Sequence, residues 1–183
     1  MSCDIANGRL EACKDSVAGL DAIYIINYGD YNSDSDISYD GTYEDLINGV
    51  TGVANLYKYE LKGANSFDQA ITSSRDNGTT YFEQTLSVTL KKQDVQTHKT
   101  IKLLAYGRPH IVVRNRNNQF FLSGFKRGMD VTAGTVANGT ALGDLSGYTL
   151  TFTGMENVPA NFLDCSDEAA LAALFDGAAI VTA

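Results

Sequence analysis

The sequence predicts a mainly β protein, a β-sandwich or barrel with about two helices packed on it. Three observations carry that prediction. Apolar and polar residues alternate with period two in several segments, Gly, Asn and Asp clusters separate those segments, and only two stretches show helical spacing. With 183 residues and a 44 % hydrophobic fraction, the chain is long and apolar enough for one globular domain with its own core.

Residues 1–19 form an N-terminal arm holding Cys3, Cys13 and a weakly helical run. Residues 20–28 (Leu-Asp-Ala-Ile-Tyr-Ile-Ile-Asn-Tyr) are apolar on both faces, as a central strand requires. The Asp/Ser/Asn/Tyr-rich stretch 29–45 is the longest loop expected, and 53–62 is the next strand. In 81–91, Phe82, Leu86, Val88 and Leu90 share one face with Gln84, while Tyr81, Glu83, Thr85, Ser87, Thr89 and Lys91 share the other. Residues 94–105 place Val95, His98, Ile101, Leu104 and Ala105 near helical spacing, between Asp94 as N-cap and Gly107 beyond the end. Strands 109–115 and 119–125 flank a turn at Arg116-Asn117-Asn118, and 128–136 is a further strand. In 148–153, Tyr148, Leu150 and Phe152 alternate with three threonines. A second helix over 166–176 starts at Ser166 as cap and stops at Gly177. Pro109 and Pro159 fall at strand boundaries, where a missing N–H does least harm. The expected organisation is the arm (1–19), a β domain (20–165) and a C-terminal helix and tail (166–183).

Charge narrows the function. The net charge is −8, which argues against a basic surface that grips nucleic acid. The charge is also segregated: residues 1–60 carry three basic and eleven acidic groups, residues 61–130 eleven and five, and residues 131–183 none and six. Such blocks either give complementary surfaces to adjacent copies or face solvent. No apolar run approaches a membrane span, and the start lacks the features of a secretory signal, so a cytosolic origin is expected. Three widely spaced cysteines make no disulfide framework, and the Asn-Gly-Thr triplets at Asn77 and Asn138 are read as turns.

No constellation points to catalysis, a cofactor or a metal. The loop Asp30–Asp36 resembles a calcium loop, but Ser35 occupies the turn-glycine position and Gly41 that of the bidentate glutamate; it is read as a solvated acidic loop. Zinc-type Cys/His pairs, a nucleophile elbow and phosphate-binding glycine loops are missing from the sequence. His98 and His110 are expected to be structural, and Asp144 near Ser146 to be turn chemistry. Lys91-Lys92, Arg108, Arg114, Arg116 and Lys126-Arg127, beside Tyr106, Phe120, Phe121 and Phe125, form one basic cluster suited to an acidic partner.

Three stretches carry a resemblance: Phe67-Asp-Gln-Ala-Ile-Thr-Ser-Ser-Arg-Asp-Asn-Gly-Thr-Thr-Tyr-Phe-Glu-Gln-Thr-Leu, Lys102-Leu-Leu-Ala-Tyr-Gly-Arg-Pro-His-Ile, and Gly143-Asp-Leu-Ser-Gly-Tyr-Thr-Leu-Thr-Phe-Thr-Gly-Met-Glu-Asn-Val-Pro-Ala-Asn-Phe. The chain resembles virion structural proteins of tailed bacteriophages and within that group is most similar to tail tube proteins. The likeness runs from about Cys3 to Leu163, on framework motifs that mark kinship more than role. It implies a β-sandwich with a flanking helix and a long hairpin, in copies that self-assemble into stacked hexameric rings whose hairpins close an inner barrel.

Residues 67–75 and 79–91 around Asp76-Asn77-Gly78 would be that hairpin. Phe82, Leu86, Val88 and Leu90 would pack on the sandwich, and Tyr81, Glu83, Thr85, Ser87 and Thr89 would face a neutral-to-acidic lumen through which DNA slides. Lys91 and Lys92 would lie at the hairpin base and meet acidic residues of the next ring. The resemblance implies other tail or neck proteins as partners and the virion tail as location, after synthesis in the host bacterial cytoplasm. Another virion component (capsid decoration, neck or head–tail connector) and a monomeric β-sandwich binding module are the alternatives.

Overall fold

The computed structural model describes Ile5 and residues 7–182. In chain order its elements are β1 (Leu20–Ile26), β2 (Ile37–Tyr39), β3 (Leu46–Val50), β4 (Asn55–Glu60), β5 (Ser66–Ser74), β6 (Thr79–Lys91), α1 (Val95–Tyr106), β7 (His110–Asn115), β8 (Phe120–Ser123), β9 (Asp130–Ala137), β10 (Gly147–Glu156), β11 (Asn161–Leu163), α2 (Glu168–Leu174) and β12 (Ala179–Val181). They form a large sheet of order β12-β4-β1-β7-β8-β11-β3-β2 and a small one of order β5-β6-β10-β9. Neither closes into a barrel, so of the two expected architectures the sandwich-like one is present.

The doubly apolar reading of β1 has a direct cause: the strand sits in the middle layer. Ala22, Tyr24 and Ile26 enter one core cluster, and Leu20 and Ile23 enter the other. Its neighbour β7 divides in the same way, Val112 to the first cluster and Ile111 and Val113 to the second. The first cluster gathers Leu56 of β4 and Ile47 and Val50 of β3, strands from opposite ends of the sheet order. The large sheet therefore curls around it, and Leu171, Leu174 and Phe175 of the α2 region fill the concavity. The second cluster lies between the sheets, where Leu86 and Val88 of β6 and Leu150 and Phe152 of β10 meet β1 and β7.

Four short strands fall where none was expected: β2 inside the 29–45 loop, and β3, β11 and β12. Helix α1 matches its expected span and cap, with the Asp94 carboxylate accepting from the Gln96 and Thr97 amides. Its buried face is narrower than the spacing implied. Ile101 and Leu104 pack on the second cluster, whereas Val95 is 90 % exposed. Helix α2 is capped one residue later than expected, by Asp167 accepting from the Ala170 amide at 2.7 Å. The weakly helical reading of the arm fails: residues 7–18 are exposed and non-helical. The β7–β8 turn tethers its end, since the Val17 amide donates to Asn117 Oδ1 at 3.0 Å. Cys3 lies outside the described residues.

Candidate functional site

The expected hairpin is present. Strands β5 and β6 pair antiparallel from Ser66↔Ser87 to Ser74↔Thr79, and residues 75–78 make the turn. Gly78 adopts φ +62°, a left-handed conformation that glycine reaches without a Cβ penalty. Strand β10 pairs with β6 from Gly147↔Lys91 only as far as Glu156↔Phe82. Beyond Phe82 no third strand among the described residues joins the hairpin, which projects from the sandwich. Ile71, which pairs with Phe82, is 69 % exposed there despite facing the core side.

The two faces of β6 differ as the alternation requires. Gln84, Leu86 and Val88 are buried, Leu90 packs at the margin of the second cluster, and Phe82 is half-buried where the third strand ends. Gln84 is the polar intruder in this set; its Oε1 accepts from the Gly124 amide at 2.8 Å. Tyr81, Glu83, Thr85, Ser87 and Thr89 lie half-buried on the opposite face.

Register extends that outward face across the small sheet. Thr149, Thr151 and Thr153 of β10 pair with Thr89, Ser87 and Thr85, a set that the sequence reading left unassigned. Their alternation in the sequence was the available signal. Thr135 and Thr149 hydroxyls lie 2.6 Å apart, and those of Thr132 and Thr153 2.9 Å apart, so the hydroxyls satisfy one another across β9 and β10. The charges of this face are Asp68 opposite Thr85, Glu83, and Asp130 opposite Thr153. Lys91 shares the face by parity but ends β6 at the hairpin base, beside Gly63. The close packing of β10 on β6 there depends on Gly147, where an added Cβ would stand 2.2 Å from the Leu90 carbonyl oxygen. Both edges of the sheet, nine-residue β5 and eight-residue β9, have one free side each in the described protomer.

The other residues singled out in the sequence make local contacts within the chain. In the acidic loop, Asp36 accepts from the Asn32 amide at 2.8 Å and from the Ser35 hydroxyl, which holds its carboxyl below the usual range. Asp34 pairs with Lys126 at 2.8 Å. His110 is buried, stacked on Tyr28 at 5.2 Å, with Nδ1 against the Gly124 carbonyl; burial holds its pKa below the ordinary value. His98 lies 6.1 Å from the Tyr148 ring. Asp144 accepts from the Ala141 and Thr140 amides, both at 2.8 Å, which is the turn role expected.

The basic residues do not form one cluster, because most are drawn into separate local contacts. Arg108 lies near Asp130 and donates to the Arg127 carbonyl, Arg114 donates to Asn118, and Arg116 lies 3.8 Å from Asp21. Phe120 and Phe125 are core residues, while Tyr106 is 83 % exposed. Cys13 is an exposed free thiol, and burial pushes the free Cys165 thiol up to about 12. Lys58 Nζ contacts Glu168 at 2.8 Å, and the Tyr24 hydroxyl donates to the same oxygen at 3.0 Å. No helix among the described residues is long and apolar enough to cross a membrane.

The small sheet thus presents a hydroxyl-rich, acid-spotted face between two long free edges, extended by a projecting hairpin. No protein-family model matches the chain, and comparison with curated proteins and with solved structures gives no match.

Proposed function

We propose that this chain is the subunit of a phage tail tube, a structural protein that self-assembles into stacked hexameric rings enclosing a conduit for DNA. The observation that carries the reading is the four-stranded sheet with a polar outer face and two unpaired edges. Free edges of eight or nine residues invite pairing with another chain. Pairing β5 of one copy with β9 of the next satisfies both edges and repeats head to tail, an arrangement that gives a ring where the rotation between copies closes and an open filament where it does not. The outer face then lines the bore. Its threonine and serine hydroxyls offer phosphates no ion pair, and Asp68 and Glu83 repel them, while Asp130 is balanced by Arg108, so a duplex passes without being gripped.

In this reading the projecting hairpin carries the wall beyond each protomer, and Lys91 and Lys92 lie at its base, toward the adjacent ring. Tail and neck proteins of the same virion would be the further partners, and the virion tail the location after synthesis in the host bacterial cytoplasm. Negative-stain microscopy of the purified protein tests this. Rings or tubes with a bore that passes duplex DNA are expected; a monodisperse monomer at the highest soluble concentration would overturn it.

A further inference from the structure

The sandwich has two mouths that are finished differently. On the β9 side, α1 closes the gap: Ile101 and Leu104 pack on the core between the sheets, and the Tyr148 hydroxyl donates to the Asp94 carbonyl at 3.2 Å. Gln93 Nε2 donates to the Ala137 carbonyl at the end of β9, at 2.8 Å. On the β5 side no helix among the described residues closes it. The large sheet runs on past β5 through β8, β11 and β3, and cross-strand partners form a row along its inner face: Val113 with Phe121, Phe121 with Phe162, Phe162 with Leu46. Exposure along the row rises from 0 % at Val113 to 45 % at Phe162. Phe67 of β5, 6.4 Å from Phe121, lies over the inner end of the row.

Where β3, β8 and β11 begin or end, a groove of about 470 Å³ adjoins the row; Phe162, Leu46, the 67 %-exposed Tyr43, Glu44 and Asp45 line it, together with Phe120 and Leu163 of the first cluster. The outer stripe of α1 has the opposite character. Val95, Lys99, Lys102, Leu103 and Tyr106 follow helical spacing on one side, and Val95, Leu103 and Tyr106 are 90 %, 61 % and 83 % exposed. Among the described residues neither lysine and neither carboxylate belongs to an ion pair.

We infer that the open mouth of one copy receives the α1 stripe of the next. Leu103 and Tyr106 cover Phe162 and Tyr43, while Lys99 and Lys102 face Glu44 and Asp45. This rests on the ring reading above, and the edges supply its placement. Helix α1 flanks β9 and the aromatic row flanks β5, both on the core side of the small sheet, so joining β9 to β5 carries one onto the other. The two patches are different surfaces, apolar at the centre and of opposite charge at the rim, as a one-directional contact requires.

A charge exchange tests the contact. Lys99→Glu with Lys102→Glu in one chain and Glu44→Lys with Asp45→Lys in another should each raise the concentration needed for assembly about tenfold or more. Mixed in equal amounts they should assemble near the wild-type concentration, because only alternating copies join opposite charges. All four sites are solvent-exposed, and circular dichroism verifies that each variant is folded. If either folded variant alone assembles like wild type, or the mixture does not assemble, the inference is overturned while the ring reading stands on the wild-type images. A wild-type chain that forms no ring overturns both.

Discussion

Replacing Tyr106 with alanine separates assembly from folding more cleanly than any core substitution. The side chain is 83 % exposed in the last turn of α1, so truncation opens no cavity in the protomer. Alanine is also the better helix former by roughly 0.5 kcal/mol, so the melting temperature should hold or rise slightly. Assembly should respond in the opposite sense. A tyrosine presents about 200 Å². If half of its exposed part is covered by the next copy, about 80 Å² leaves water at each contact, worth about 2 kcal/mol at roughly 25 cal/mol per Å². That corresponds to about a 30-fold weaker association constant per contact.

Light scattering or sedimentation across a dilution series, run beside thermal unfolding, reads both quantities on one preparation. Phe152→Ala is the contrasting control. It empties a fully buried site between the sheets and should cost about 3–5 kcal/mol of stability. A Tyr106→Ala chain that assembles at the wild-type concentration refutes the reasoning.

Three further outcomes are expected. Deleting residues 76–79 should leave the circular dichroism spectrum nearly unchanged, because the projecting tip packs on no third strand, yet it should abolish rings; persistent rings would remove the hairpin from the assembly. Glu168→Gln should cost about 1 kcal/mol in chemical denaturation once solvent screening of this partly exposed pair is allowed for. Desolvation pushes the Glu168 carboxyl up, but the Lys58 and Tyr24 hydrogen bonds and the Lys58 and Arg114 charges outweigh it and hold it down. Its contribution is thus present above the unfolded value and lost as pH falls through the folded one, so the deficit of the variant should vanish in acid; a deficit constant with pH would contradict this. For His110, burial lowers the folded pKa, so the unfolded chain takes the proton first. Its stabilisation is whole above about pH 6.5 and declines as pH falls below it. Wild type should therefore lose more stability than His110→Gln between pH 7.5 and 5, and parallel profiles would contradict the burial.

The long strands were legible because alternation and burial report the same thing. Leu86, Val88 and Leu90 repeat every second residue, and the core between the sheets needs them on one face. The both-face apolar run of β1 marked a middle strand for the same reason. The short strands were not legible. Three-residue strands such as β2, β11 and β12 are too brief to show a period, and β3 (Leu-Ile-Asn-Gly-Val) contains residues that favour turns. Three of the four take part in parallel pairings, β12 with β4 and β11 with β3, which depend on chain crossings that local sequence does not encode.

The outward residues of β6 were readable from parity, but their neighbours Thr149, Thr151 and Thr153 joined that face only through register. The supposed basic cluster shows the limit in the other direction. Arg108, Arg114 and Arg116 are close in the sequence, yet they end beside different partners because β7 and its flanking loops point them apart.

The most direct test of the whole account is a reconstruction of the assembled wild-type protein at side-chain detail. A ring is predicted in which β5 of each copy hydrogen-bonds to β9 of the next, with Thr85, Ser87, Thr149 and Thr151 on the inner wall. A monomer, or a ring with those residues on its outer surface, would contradict it.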